Sequence, residues 1–488
     1  MKLDFSTIAA ISTPPGTGGV SMIRISGASA PDIAACIFTR GKQGAPIDLR
    51  RTPSHRVLFG QIRDPGSGVL IDEVLLTWMA APHTYTTEDT VEISCHGGQL
   101  PVQETLRVIL AVGARHAEPG EFTLRAFLNG RLDLSQAEAV INVVGARTAE
   151  GLQLAVEDLR GDLTNRITRA RDAIVSLLAY LDASADFPDD EIPGADIDAD
   201  LQTAVEALES IVAGSKAGML YREGAQVALV GRPNVGKSSL MNALLRADRA
   251  IVTPIAGTTR DVIAETCNIR GIPATLLDTA GIAETADVVE QLGVERSQRA
   301  LSGSAAAVLV LDGTVAPGPD DLAVARLLAE RLGDHALTPA LPLSREGEGL
   351  GVRAVEPIPV VIAINKRDLE ERPAQDAVTR RLPGAECVEV SSKTGAGLDV
   401  LENALATVLN SDAGAAIQPS LITTRQKAAL ERAQLHLSEA QHTRLASHPL
   451  DLMATDVRAA LHAIGEVTGE NIDEAVLTEI FSRFCIGK

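Results

Sequence analysis

The sequence predicts a multidomain protein built from an α+β domain, a discontinuous α-helical domain and an inserted α/β phosphate-loop domain, and three observations carry that reading. Residues 1–125 alternate short strand-like runs with Gly and Pro turns. From Leu134 the texture changes to long helical periodicity, which breaks off and then resumes from about Thr423. Between the helical parts, the apolar run Gln226 to Val230 leads into Gly231-Arg232-Pro233-Asn234-Val235-Gly236-Lys237-Ser238-Ser239, a GxxxxGKS loop at a strand-to-helix junction.

The first domain, residues 1–125, has strand-like runs at Val20 to Ile25, Val69 to Met79 and Thr90 to Cys95, and a helix-like stretch at Val102 to Val112. Residues 126–222 form the first helical part, opening on Ser135 and Glu138 at capping-box spacing. Gly145, Gly151 and Gly161 suggest breaks or close helix contacts within it. Asp182 to Asp200 holds eight acidic residues and no basic one, and reads as a solvated turn before a helix from Leu201 to Lys216. The α/β domain occupies 223–410, interrupted at 335–357 by a Pro-, Gly- and charge-rich stretch without periodicity, expected to be a disordered surface insertion. Residues 411–488 form the second helical part. Because the two helical parts can bury their apolar faces only against one another, they are expected to form one domain. The last helix carries the stripe Ile472, Val476, Leu477, Ile480, Phe481 and Phe484, with Asn471 and Glu474 as its cap and a free, mobile tail after Cys485.

The loop chemistry identifies the ligand. Glycines let the N–H groups of Asn234, Val235, Gly236, Lys237, Ser238 and Ser239 point toward phosphate oxygens; Lys237 adds charge, and the Ser238 hydroxyl can ligate Mg²⁺. Asp278-Thr279-Ala280-Gly281 follows a second apolar run, placing a carboxylate at the metal and the Gly281 N–H toward the terminal phosphate. A third run ends in Asn365-Lys366-Arg367-Asp368, where the Asp368 carboxylate can accept from guanine N1–H and its 2-amino group. Adenine would leave that carboxylate unpaired, which makes the base guanine. Ser391-Ser392-Lys393 supplies a turn for the guanine O6. The loop Thr253-Pro254-Ile255-Ala256-Gly257-Thr258-Thr259 stands where a GTPase keeps its first switch, with Thr259 as the second hydroxyl on Mg²⁺. Ile282 occupies the place of the glutamine that orients water in Ras-like enzymes, so another group must orient the water and another charge must replace the arginine finger.

Composition narrows the partners. With 44 basic and 64 acidic residues the net charge is −20, which disfavours broad nucleic-acid binding, and 2% aromatics leave few stacking platforms for single-stranded bases. An RNA substrate would need a partner's surface. Five scattered cysteines and unclustered histidines give no metal or disulfide framework. No long apolar run and no secretory leader is evident, so a cytoplasmic protein without membrane contact is expected.

Thr13-Pro14-Pro15-Gly16, Pro119-Gly120-Glu121-Phe122-Thr123, the central motifs and the final Cys485-Ile486-Gly487-Lys488 together resemble the tRNA uridine-modification GTPase family MnmE, also called TrmE. The resemblance spans the chain, and its two ends separate this family from other GTPases. It implies a homodimer with an N-terminal tetrahydrofolate-binding and dimerisation domain, a helical domain and an inserted G domain. With the flavoprotein MnmG in a hetero-oligomer, such proteins hydrolyse GTP and add an aminomethyl or carboxymethylaminomethyl group to C5 of the tRNA wobble uridine, drawing carbon from 5,10-methylenetetrahydrofolate. By the same resemblance Asn234, Thr253, Ile255 and Thr258 hold a K⁺ that replaces the arginine finger. Glu290, twelve residues beyond Asp278, positions water, although spacing alone also fits a solvated helix residue. Arg24, Glu92, Arg131 and Lys488 carry over as the folate site, where cations suit the glutamate carboxylates and Glu92 suits pterin N–H donors. Arg131 departs from the family's usual lysine. Cys485 is either a reactive thiol, favoured toward thiolate by Arg483 and Lys488, or an incidental small apolar residue; the family match favours a direct role. The reading from another class is a ribosome-assembly or regulatory GTPase acting as a binding switch.

Overall fold

The computed structural model describes residues 6–42, 45–186, 196–247, 265–278, 301, 303–331, 358–411, 419–446 and 448–488. The chain divides into two compact units, one of residues 1–141, 158–208 and 428–488, the other of 142–157 and 209–427.

The first unit is built on a sheet whose strands are β1 (Ile8–Ile11), β2 (Val20–Ser26), β3 (Phe38–Arg40), β4 (Arg56–Arg63), β5 (Leu70–Met79), β6 (Thr90–His96) and β7 (Arg115–His116), in the order β3-β4-β5-β6-β2-β1-β7. Alternation decides the faces. Along β5, Val74, Leu76 and Trp78 turn inward, where α1 (Ala30–Ile37) and α2 (Gln99–Ala111) cover them through Ile33, Ile37, Val102 and Ile109. On the opposite face Phe59 stands beside Leu75 in the β4–β5 register, with Val57 two places along β4, and these three are 43%, 47% and 62% exposed. In β2 and β6, Arg24 lies directly opposite Glu92.

Helices α3 (Glu121–Leu128), α4 (Leu134–Gly145), α6 (Asp162–Asp186), α12 (Thr424–Leu445), α13 (Leu450–Thr468) and α14 (Glu474–Ser482) complete this unit in whole or part, α5 (Ala149–Leu159) and α7 (Ile197–Glu223) being shared by sequence with the second. The two helical stretches do meet: α6 packs along α13, and Arg458 reaches Asp182 at 2.9 Å while Arg444 reaches Asp198 at 2.9 Å. The flanks of the acidic stretch are therefore helical and ion-paired, and its middle, 187–195, lies outside the described residues.

Three expectations need correction. The cap of α4 is set two residues earlier than Ser135 and Glu138. Asp133 Oδ1 accepts the Gln136 N–H at 2.9 Å and Gln136 Oε1 accepts the Asp133 N–H at 3.0 Å, whereas Ser135, inside the helix, donates to Val467 O. Asn471 does not cap the last helix, whose N-cap is Asp473 without a side-chain capping bond. The tail after Cys485 is not free. Gly487, at φ +92°, lies so close to β1 that an added Cβ would stand 2.4 Å from Ile11 O, and Ser12 Oγ donates to Gly487 O at 3.1 Å. The apolar stripe on α14 is as expected: Ile480, Phe481 and Phe484 are buried with Leu124, Leu134 and Val140.

The second unit holds β8 (Ala225–Val230), β9 (Glu265–Ile269), β10 (Ile272–Asp278), β11 (Ala306–Asp312), β12 (Val360–Asn365) and β13 (Glu386–Glu389), ordered β13-β12-β11-β8-β10-β9 and parallel except for β9. β11 and β12 are buried almost throughout, as central parallel strands covered on both faces must be. Alternate residues feed two cores. Val227, Leu229 and Val308 meet α8 (Lys237–Ala247) and α11 (Leu398–Leu409), while Ala228, Leu309 and Ile362 meet α9 (Pro319–Arg331) and α10 (Asp376–Thr379). The stretch 335–357 lies outside the described residues. Among the described residues no helix is long and apolar enough to cross a membrane.

Candidate functional site

The nucleotide motifs converge at the carboxyl ends of the parallel strands. Between β8 and α8 the loop turns through Gly231 (φ +148°), Asn234 (φ +64°) and Gly236 (φ +98°). Gly236 permits a close approach that no side chain could share, since its Cβ would lie 2.3 Å from Asn365 Nδ2. Lys237 is 6% exposed, and its ammonium donates to Gly231 O at 2.9 Å and Arg232 O at 3.0 Å inside the curve of the loop. Burial pushes its pKa below the usual lysine value, and Asp278 opposes that shift. Ser238 Oγ donates to Asp278 Oδ2 at 2.6 Å, bringing hydroxyl and carboxylate together as an all-oxygen donor set suited to a hard divalent ion.

The guanine end is cross-braced. Asn365, 1% exposed, donates from Nδ2 to Val235 O at 3.0 Å and accepts at Oδ1 from Ser392 N (3.1 Å) and Ser392 Oγ (2.6 Å). Its amide is thereby committed to tying the phosphate loop to the Ser391–Lys393 turn. Asp368 accepts from Ser391 Oγ at 2.7 Å, and that hydroxyl, with its own N–H and the charge of Lys393, holds the carboxyl below the usual carboxylate range. Asp368, Ser392, Lys393, Ser239 and Gly236 line a cavity of about 810 Å³, a volume suited to a nucleotide. Thr253 to Thr259, Thr279 to Gly281, Ile282 and Glu290 lie outside the described residues.

Sequence reasoning missed the groups behind this surface. Asp312, at the end of β11, accepts from Lys366 Nζ at 2.7 Å, and Arg232 lies 3.2 Å from Asp321. The signal available was an aspartate closing the apolar run Ala306 to Leu311, as Asp278 closes its own.

In the first unit Arg24 does not stand apart from Glu92: its guanidinium bonds Glu92 Oε1 at 2.9 Å and lies 5.1 Å from the Tyr85 ring centre and 5.6 Å from that of Phe122. Arg131 also approaches the Tyr85 ring, at 4.9 Å, and donates to Tyr85 O at 3.0 Å; with Tyr85, Thr87 and Asn129 it lines a cleft of about 560 Å³. Lys488 is half-buried, and burial lowers its pKa, an effect opposed by Cys485 and reinforced by Arg24. The pinned tail thus brings Lys488 into the electrostatic reach of Arg24, with Cys485, itself exposed, acting on the same ammonium. Arg483 is engaged instead with Glu479 at 2.6 Å. Three cations, one carboxylate and an aromatic face suit an anionic, ring-bearing ligand.

The histidines are not wholly unclustered. His436, Glu439 and Asp456 bring potential ligand atoms within 4.8 Å of one another, across α12 and α13. Glu439 bonds His436, and Asp456 separately accepts from the Thr443 hydroxyl.

The family descriptions "GTP-binding protein TrmE N-terminus" and "MnmE helical domain" match residues 7–131 and 134–485. The protein named tRNA modification GTPase MnmE in Chloroflexus aurantiacus is 46% identical over 484 residues, covering 99% of each chain. Proteins of the same name in Roseiflexus castenholzii and Heliobacterium modesticaldum are each 43% identical, over 495 and 492 residues, and again cover 99% of both chains.

Proposed function

This chain belongs to the MnmE family of tRNA modification GTPases, and from that premise we propose that its GTP hydrolysis serves wobble-uridine modification through a folate site assembled from both ends of the sequence. The hydrolytic machinery is that of the cavity in the second unit. Lys237 and the loop N–H groups neutralise the phosphates, Asp368 selects guanine, and Ser238 with Asp278 would hold Mg²⁺, joined by Thr259. A K⁺ held by Asn234, Thr253, Ile255 and Thr258 would supply the positive charge that an arginine finger supplies elsewhere, and Glu290 would position the water that Ile282 cannot. A charge in that place contributes about 10³ to 10⁵ in rate, or roughly 4 to 7 kcal/mol of barrier.

The observation that carries the modification reading is the Arg24–Glu92 pair on adjacent strands, with Lys488, from the other end of the sequence, within the charge field of Arg24 and of Cys485. Arg24, Arg131 and Lys488 would bind the folate's carboxylates, and Glu92 its pterin edge. Bound 5,10-methylenetetrahydrofolate would supply the carbon unit. Cys485 beside it would act directly in the modification. A flavoprotein partner, MnmG, would contribute the redox chemistry and the tRNA surface that a net charge of −20 does not offer. The exposed apolar patch of Val57, Phe59 and Leu75 supports a homodimer that covers it. A cytoplasmic enzyme fits this chemistry. Family membership sets aside the assembly-switch reading.

Mass spectrometry of tRNA nucleosides from a strain carrying Cys485→Ser tests substrate and site together: loss of the wobble modification with GTP turnover retained is expected, and full modification refutes the role of Cys485. GTP turnover in K⁺ against Na⁺ tests the cation, where equal rates would sink the K⁺ assignment.

A further inference from the structure

Asp312 is not among the residues lining the cavity of Asp368 and Ser392, yet its carboxylate bonds Lys366, which does line it. Oδ1 accepts from the Thr314 N–H at 3.0 Å and its hydroxyl at 2.6 Å, which fixes the carboxylate at the end of β11. Oδ2 accepts from Lys366 Nζ at 2.7 Å, and the same ammonium donates to Asn234 O at 3.1 Å. Both residues so joined have left-handed backbones, Lys366 at φ +66° and Asn234 at φ +64°. Oδ2 also lies 4.0 Å from the guanidinium of Arg232, which stands 3.2 Å from Asp321, a side chain only 3% exposed.

We propose that Asp312 is a positioning residue for nucleotide binding: its carboxylate holds the Lys366 ammonium across the lip of the phosphate loop, so that Asn234 and the wall of the guanine pocket are set before the nucleotide arrives. A lysine side chain loses rotamer freedom when fixed, and a partner that fixes it in advance removes that cost from binding. Thr314 orders Asp312, Asp312 orders Lys366, and Lys366 holds the carbonyl of Asn234. The phosphate loop and the guanine motif therefore act as one preset surface. Asp312 touches neither base nor phosphate, so it changes how tightly a nucleotide is held and not which base is chosen.

The test uses the full chain, with Kd and release rates for GDP and inosine diphosphate, which lacks the 2-amino group, and the melting midpoint of the ligand-free protein. Asp312→Asn is expected to weaken both nucleotides by about tenfold, the size of one lost charged hydrogen bond, chiefly through faster release. The GDP-to-inosine-diphosphate ratio should stay at the wild-type value, whereas Asp368→Asn changes it. Adding Asp312→Asn to Lys366→Met should cost nothing further. Thr314→Val, which keeps the carboxylate but removes its hydroxyl anchor, should move affinity in the same direction by less and serves if Asp312→Asn folds poorly. Unchanged GDP affinity, a changed nucleotide ratio, or full additivity with Lys366→Met overturns the proposal. Wild-type protein that fails to bind GDP would instead refute the guanine-nucleotide reading on which it rests.

Discussion

Replacing Gly487 with alanine should undock the Cys485–Lys488 segment while sparing the GTPase. The residue sits at φ +92°, and its missing Cβ would lie 2.4 Å from Ile11 O and 2.8 Å from Ser12 Cα. Both neighbours are backbone in or beside β1 and cannot yield as a flexible side chain could. Holding alanine in the left-handed region costs about 1–2 kcal/mol, and losing the bond from Ser12 Oγ to Gly487 O costs about 1 kcal/mol more. A total of about 2–3 kcal/mol lowers the docked-to-undocked ratio by about 30- to 150-fold. Carboxypeptidase release of Lys488 reads that ratio directly, because the protease acts on the open form while opening and closing are fast. Release should accelerate by that factor in Gly487→Ala. Wobble modification should fall, and GTP turnover should stay at the wild-type rate. Release at the wild-type rate would refute the argument that the glycine is required by close packing on β1.

Two further outcomes follow from the described geometry. Asp368→Asn should lose two charged hydrogen bonds to guanine, together about 3–6 kcal/mol or roughly 10² to 10⁴ in GDP affinity, and gain affinity for xanthine nucleotides, whose C2 oxygen accepts from an amide; competition binding checks both. Glu121 is a buried carboxylate against which burial works, but Arg115, the Glu118 N–H and Arg125 outweigh it, so it titrates below its ordinary 4.5. Its stabilisation is present above 4.5 and is lost as pH falls through the lowered folded value. Glu121→Gln should therefore cost about 3–5 kcal/mol at neutral pH and flatten that acid-side decline in denaturant titrations.

What could be read from the sequence was local. The phosphate loop, the Asp368 motif and the serine turn are contiguous strings whose chemistry depends on neighbours a few residues away, and each lies where a strand ends. The α14 stripe was legible because helical period maps directly onto one face. The role of Asp312 was not legible, because Lys366 is 54 residues distant and nothing in either string pairs the two. The cap of α4 was ambiguous in principle: Asp133 with Gln136 and Ser135 with Glu138 both have the spacing. The choice turned on a bond from Ser135 to Val467, 332 residues away. The docked tail escaped notice because backbone groups and a glycine hold it, leaving no apolar pattern to see. The pairing of Arg24 with Glu92 required the strand register, which neither string contains.

The contact between Ser12 and Gly487 joins positions 475 apart. A ribosome emitting this chain delivers β1 and β2 early, yet the segment that packs against Ile11 emerges only after the whole phosphate-loop fold has been translated. Until then the groove beside Ile11 has no occupant and Arg24 lacks its neighbour Lys488. The pocket around Arg24 therefore gains Lys488 only after every strand of the phosphate-loop fold has been made.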